Sequence, residues 1–147
     1  MHLKTTIYIT LILAALVMLT PIQAVPMQEY DFDGNFKMDV PIGCSFVNRN
    51  SFFGIDLPPT KVYQDFENNI NVSLADVHDN DRYYSDLTNA LKEEQDIDLR
   101  QNGDRCLIKT EKFNIVLFKK DDKTVAISSG NLDFDTLNTM ANSFKMK

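Results

Sequence analysis

What is scarce in this chain excludes more than what is abundant. Its five glycines in 147 residues are scattered singly, so no glycine-rich loop can cradle a phosphate. Two cysteines and two histidines, His2 and His78, are too few and too far apart for a zinc site. No Gly-x-Ser-x-Gly elbow occurs, and any Ser-His-Asp or Cys-His set in the body of the chain would have to use His78, a residue of a polar turn. Positive charge is also short. The formal net charge is −6, which repels phosphate backbones and argues against nucleic acid as a partner. The one long apolar run, Ile7 to Leu19, is interrupted by Thr10 and is too short to span a ~30 Å hydrocarbon core. There is no internal repeat, low-complexity run or linker, so residues 25–147 read as one domain.

What is present begins with a targeting segment, residues 1–24. Lys4 supplies a positive flank, the apolar run follows, Thr20-Pro21 breaks it, and Ile22-Gln23-Ala24 offers a small residue for cleavage before Val25. The alternative is an uncleaved signal anchor that would hold the domain at a membrane. No cysteine follows the run, which argues against lipoprotein processing. Export favours a disulfide between Cys44 and Cys106, worth about 4 kcal/mol in the chain-entropy picture. The competing reading is two buried free thiols, because reduced cysteine packs well.

The stretch from Ile97 to Gly130 reads as four consecutive antiparallel strands. Asn102-Gly103 is a strong hairpin signal, and a two-residue loop there sets Leu99 opposite Cys106 and Ile97 opposite Ile108. A second at Glu111-Lys112 sets Ile108 opposite Ile115 and Cys106 opposite Leu117. A three-residue turn at Asp121–Lys123 places Leu117 opposite Ile127. Leu107, Val116, Phe118 and Ala126 fall on the second face, so the middle strands are expected to be covered on both sides.

Residues 28–41 read as a hairpin turning at Asp33-Gly34, with Tyr30 and Phe32 on one arm and Phe36, Met38 and Val40 on the other. Residues 42–60 are irregular, and Phe52 and Phe53 beside Gly54 are the candidate binding residues there, as aromatic anchors on a loop or, alternatively, as core. Two strands lie between Lys61 and Asp76, the second carrying the sequon Asn71-Val72-Ser73 inside it. A helix capped by Asp81 is expected to run to about Gln95, burying Tyr84, Leu87 and Leu91 with Tyr83 and Ala90. A last helix, capped by Asp133, places Phe134, Leu137, Met140, Ala141 and Phe144 at helical spacing. Asp76, Asp79, Asn80 and Asp81 in one turn, and Asp31, Asp33 and Asn35 in another, are weak calcium candidates, set against the ordinary preference of Asp and Asn for turns and caps. No other metal and no cofactor is called for.

This order of elements defines an α+β class: an antiparallel meander with helices packed on it. With Phe36-Lys37-Met38-Asp39-Val40-Pro41-Ile42-Gly43 near the start and Ser143-Phe144-Lys145 near the end, it resembles the PsbP-like α/β/α sandwich superfamily, including its small exported prokaryotic members. Cys44 stands where that pattern commonly has an aromatic residue. The resemblance implies a fold and a mode of action: adaptor or accessory modules without shared catalytic residues. The expected function is therefore an exported, non-enzymatic binding or accessory domain at the cell surface or outside the cell, with a protein or envelope component as partner. A small extracellular hydrolase and a calcium-stabilised structural domain are the alternatives.

Overall fold

The computed structural model describes residues 25–49 and 60–147. The expected targeting segment, residues 1–24, and the aromatic pair Phe52 and Phe53 lie outside the described residues. Two antiparallel sheets and two helices make up the rest. A small sheet contains β1 (Met27–Phe32), β2 (Phe36–Pro41) and the short C-terminal β10 (Lys145–Met146), in the order β1-β2-β10. A seven-stranded sheet contains β3 (Val47–Asn48), β4 (Thr60–Asp65), β5 (Ile70–Ala75), β6 (Asp98–Asn102), β7 (Arg105–Lys109), β8 (Asn114–Lys120) and β9 (Lys123–Ser129). Its order is β3-β4-β5-β9-β8-β7-β6. After β5 the chain crosses through helix α1 (Asn80–Lys92) to the far edge and returns strand by strand until β9 pairs with β5. Helix α2 (Phe134–Asn142) follows β9.

Period-two alternation decides which side chains go where. In β5, Ile70, Val72 and Leu74 are buried while Asn71 and Ser73 face the other way; in β2, Phe36, Met38 and Val40 point inward and Lys37 and Asp39 outward. These two rows meet between the sheets, with Val116, Phe118, Val125 and Ile127 below and Leu137, Met140, Ala141 and Phe144 of the α2 segment closing the layer. Phe36 links them: its ring stacks on Phe32 at 4.5 Å and leans on Phe144 at 4.9 Å. The opposite face of the large sheet carries a smaller cluster, Cys106, Ile108 and Leu117, covered by Tyr84, Leu87 and Leu91 of α1. The result is a layered α+β domain with helix α1 on one side and the small sheet and α2 on the other, the expected class.

The registers bear out one expected turn and correct two. Ile108 does face Ile115, and Cys106 faces Leu117. The first hairpin turns at Gly103-Asp104 instead of Asn102-Gly103: Asn102 pairs with Arg105 and Leu99 with Ile108. Gly103, at φ +62, takes the first central position, where a II′ turn demands glycine. The pairing moves by two residues, so both strands keep their faces. The β8–β9 turn has two residues, not three. Asp121 and Asp122 both sit at positive φ, 49° and 61°, as a I′ turn requires. That change flips the partner set: Leu117 pairs with Ala126, and Ile127 joins Val116 in the large core.

The first helix is also corrected. Its N-cap is Asp79, in the left-handed conformation with no side-chain capping bond, and it ends at Lys92. Asn80 turns inward and accepts a 2.8 Å hydrogen bond from Thr124 Oγ1, which draws the helix start onto β9. Ala90 is exposed, and Thr88 takes the buried place. Helix α2 begins as expected, with Asp133 accepting from Thr136 N at 2.8 Å.

Candidate functional site

The expected disulfide is absent. Cys44 and Cys106 are both free and buried, with the large sheet between them. Cys44 packs in the core shared with the small sheet, whereas Cys106 belongs to the cluster under α1. There Cys106 Sγ donates to Gln101 Oε1 at 3.1 Å and accepts from Tyr84 Oη at 3.5 Å. The buried-thiol alternative is the one realised. Burial, with the Asp65 carboxylate nearby, pushes the Cys44 thiol up to about 11, so it is a poor nucleophile at neutral pH.

Nor do the calcium candidates converge. Asp76 turns to Lys123 at 3.6 Å and Asp81 to Lys119 at 3.1 Å. Asp31 accepts from Gly34 N and from Lys147 Nζ, which hold its carboxyl below the usual range. Asp33 accepts from Asn48. Among the described residues no three His, Cys, Asp or Glu groups are placed to share a metal ion. His78 is exposed beside a recess of about 330 Å³ lined by Val77, Asp79, Asn80, Asp81 and Asp122; no serine or cysteine shares that lining.

Two surfaces remain. At the β3 edge of the large sheet, a concavity of about 260 Å³ is lined by Gly43, Ser45, Val47, Gln64, Asp65, Phe66 and Glu67. Val47 is 52% exposed, Phe66 60%, and Ile42, next to Gly43, 63%. The Arg49 guanidinium lies over the Phe66 ring, 5.0 Å from its centre. Asp65 braces the floor: it accepts from Ser45 N at 2.9 Å and from the backbone and side chain of Asn68 at 3.0 and 2.8 Å. Burial alone would raise its carboxyl, but these donors hold it below the usual range. Phe66 escaped the sequence reading because it stands in a polar β4–β5 turn. Its signal was an aromatic residue outside the strand alternation, between Asp65 and Glu67.

The larger surface is a cleft of about 410 Å³ where the two sheets part, lined by Gly34 and Asn35 from the β1–β2 turn, Thr60 and Lys61 of β4, Leu74 and Asp76, Lys123, and Met146 and Lys147. Lys61 Nζ donates to Asn35 Oδ1 at 2.8 Å, and Asn35 Nδ2 donates to Tyr63 Oη at 2.9 Å. Tyr63 is buried, and its hydroxyl reaches Phe32 O at 3.5 Å; burial raises its phenol above the ordinary value. Sequence reasoning missed this cleft, whose residues are scattered along the chain. The readable signal was a lysine at an inward-facing strand position: Lys61 shares the register of Tyr63, and Lys123 that of Val125 and Ile127.

The class this arrangement defines is an antiparallel α+β domain with an aromatic edge patch and a lysine-walled cleft. No family model matches the chain, and no curated protein sequence does. Among solved structures it is similar to the solution structure of cyanobacterial PsbP (CyanoP) from Synechocystis sp. PCC 6803, at 11% identity and a TM-score of 0.41, covering 86% of this chain and 95% of that one. No functional residue is carried over from that protein.

Proposed function

We propose that the mature chain is an exported, non-enzymatic binding or accessory domain that acts at the cell surface or outside the cell on a protein or envelope component. The observation that carries this reading is the patch at the β3 edge. Phe66 and Val47 leave more than half of their surface in water, although burying such side chains is worth about 1.5–3 kcal/mol each. An aromatic ring under a guanidinium, at the rim of a braced concavity, has the composition of an interface anchor. The site is an edge with a ring to insert, which fits recognition by contact.

The test uses Phe66→Ser and Val47→Ser in affinity capture from envelope and culture-supernatant fractions, with thermal melting read in parallel. A captured species lost in Phe66→Ser at unchanged melting temperature supports the reading. Identical captured sets from wild type and both variants overturn it.

A further inference from the structure

The cleft between the sheets carries an inference independent of the edge patch. Three ammonium groups line it in a chain whose net charge is −6. Two have carboxylate partners: Lys123 with Asp76 at 3.6 Å, and Lys147 with Asp31 at 2.8 Å. Lys61 differs. Among the described residues its ammonium meets only the neutral Asn35 amide. A lysine at a strand end is ordinarily a solvated tip on an apolar stem. Lys61 is instead partly buried and held at the end of a hydrogen-bond chain, Lys61 to Asn35 to Tyr63 to Phe32, whose inner members are core residues. A positioned ammonium that no carboxylate among the described residues pairs keeps donors for an anion.

We infer that this cleft binds a small organic monoanion, a carboxylate with a short apolar chain, whose charged end meets the Lys61 ammonium. The pairing selects the valence. Lys123 and Lys147 already meet Asp76 and Asp31, so among the described residues Lys61 is the cleft ammonium that no carboxylate pairs, and a single ammonium matches a carboxylate better than a phosphomonoester of about −1.5 to −2. The lining selects the body, because Leu74 and Met146 give apolar surface beside the ammonium groups. The volume, about 410 Å³, falls within the span of small-molecule pockets. Lys61 retains donors beyond the bond to Asn35, since an ammonium carries three.

The experiment titrates the ¹⁵N-labelled mature chain with sodium butyrate, sodium hexanoate and inorganic phosphate at pH 7 and constant ionic strength, following amide shifts. Hexanoate should give saturable shifts at Asn35, Lys61 and Lys123, and each added methylene should tighten binding about fourfold. Lys61→Gln should weaken hexanoate at least about tenfold, the lower range for a hydrogen bond to a charged group. Lys61→Arg should stay within a few-fold of wild type, and Lys119→Gln, outside the cleft, should match it. Absence of saturable shifts overturns the inference, and so does undiminished binding in a folded Lys61→Gln. Phosphate binding more tightly than hexanoate overturns the carboxylate assignment. If Lys61→Gln fails to fold, the chain-length series and Lys61→Arg decide: a flat series, or loss of binding in a folded Lys61→Arg, overturns the inference.

Discussion

Replacing Phe144 with alanine is the sharpest test of the layered architecture. Phe144 follows α2, is 3% exposed, and belongs to the core between the two sheets. Its ring leans on Phe36 at 4.9 Å and meets Phe118 edge-on at 5.8 Å, one partner from each sheet. Truncation removes the ring from a layer that cannot close around the gap, because α2 is fixed on both sides. Arg105 of β7 reaches Asn138 Oδ1 at 3.1 Å and Asn142 Oδ1 at 2.6 Å, while Ser143 Oγ accepts from Asp39 N at 2.7 Å. Limited relaxation places the cost in the upper part of the 3–5 kcal/mol range for a buried large aromatic. Against a typical total of about 5–15 kcal/mol, that loss is severe. Urea unfolding followed by circular dichroism measures it: at an m-value of about 2 kcal/mol/M, the midpoint should fall by about 2 M. A change below about 1 kcal/mol with the same m-value would refute the reasoning, because it would mean that α2 does not seal the layer.

Two further outcomes follow from the buried polar groups. Native alkylation should leave both thiols unmodified, and denaturation without reductant should expose both to labelling; a requirement for reductant would restore the disulfide. Asp65, with its folded-state carboxyl held low, stabilises the fold above the unfolded-state pKa, and that contribution disappears as pH falls through the folded value. Wild type should therefore lose stability below about pH 4, and Asp65→Asn should reduce the slope of melting temperature against pH there. An unchanged slope would show that the Ser45 and Asn68 bonds do not set this dependence.

The sequence made the meander legible because alternation and turn chemistry act over a few residues. Its errors came from turns that share one composition. Asn102-Gly103-Asp104 can place glycine second or first in a two-residue loop, and local sequence does not rank the two registers when both keep Leu99, Cys106 and Ile108 on one face. At Asp121–Lys123 the decision rested on two consecutive aspartates in the left-handed region, a conformation that tertiary pairing of β8 with β9 enforces. The helix start was misplaced for a similar reason: Thr124, distant in sequence, claims the Asn80 side chain. The candidate sites were less legible still. Opposite faces of one sheet separate the two cysteines, and the cleft lysines meet because β5 pairs with both β4 and β9 while β10 returns to β2.

That return has a kinetic meaning. The Asp39 amide and the Ser143 hydroxyl are 104 residues apart, and Lys147 closes on Asp31 across 116. The central strand of the small sheet is thus synthesised long before its second neighbour, β10. Contacts of such separation are slow to form, since the loop must close before they contribute. Until Lys145 and Met146 pair with Lys37 and Phe36, β2 offers an unpaired edge. A nascent domain of this topology keeps that edge uncovered until β10 pairs with it, which makes β10 the latch that ends its exposure to aggregation.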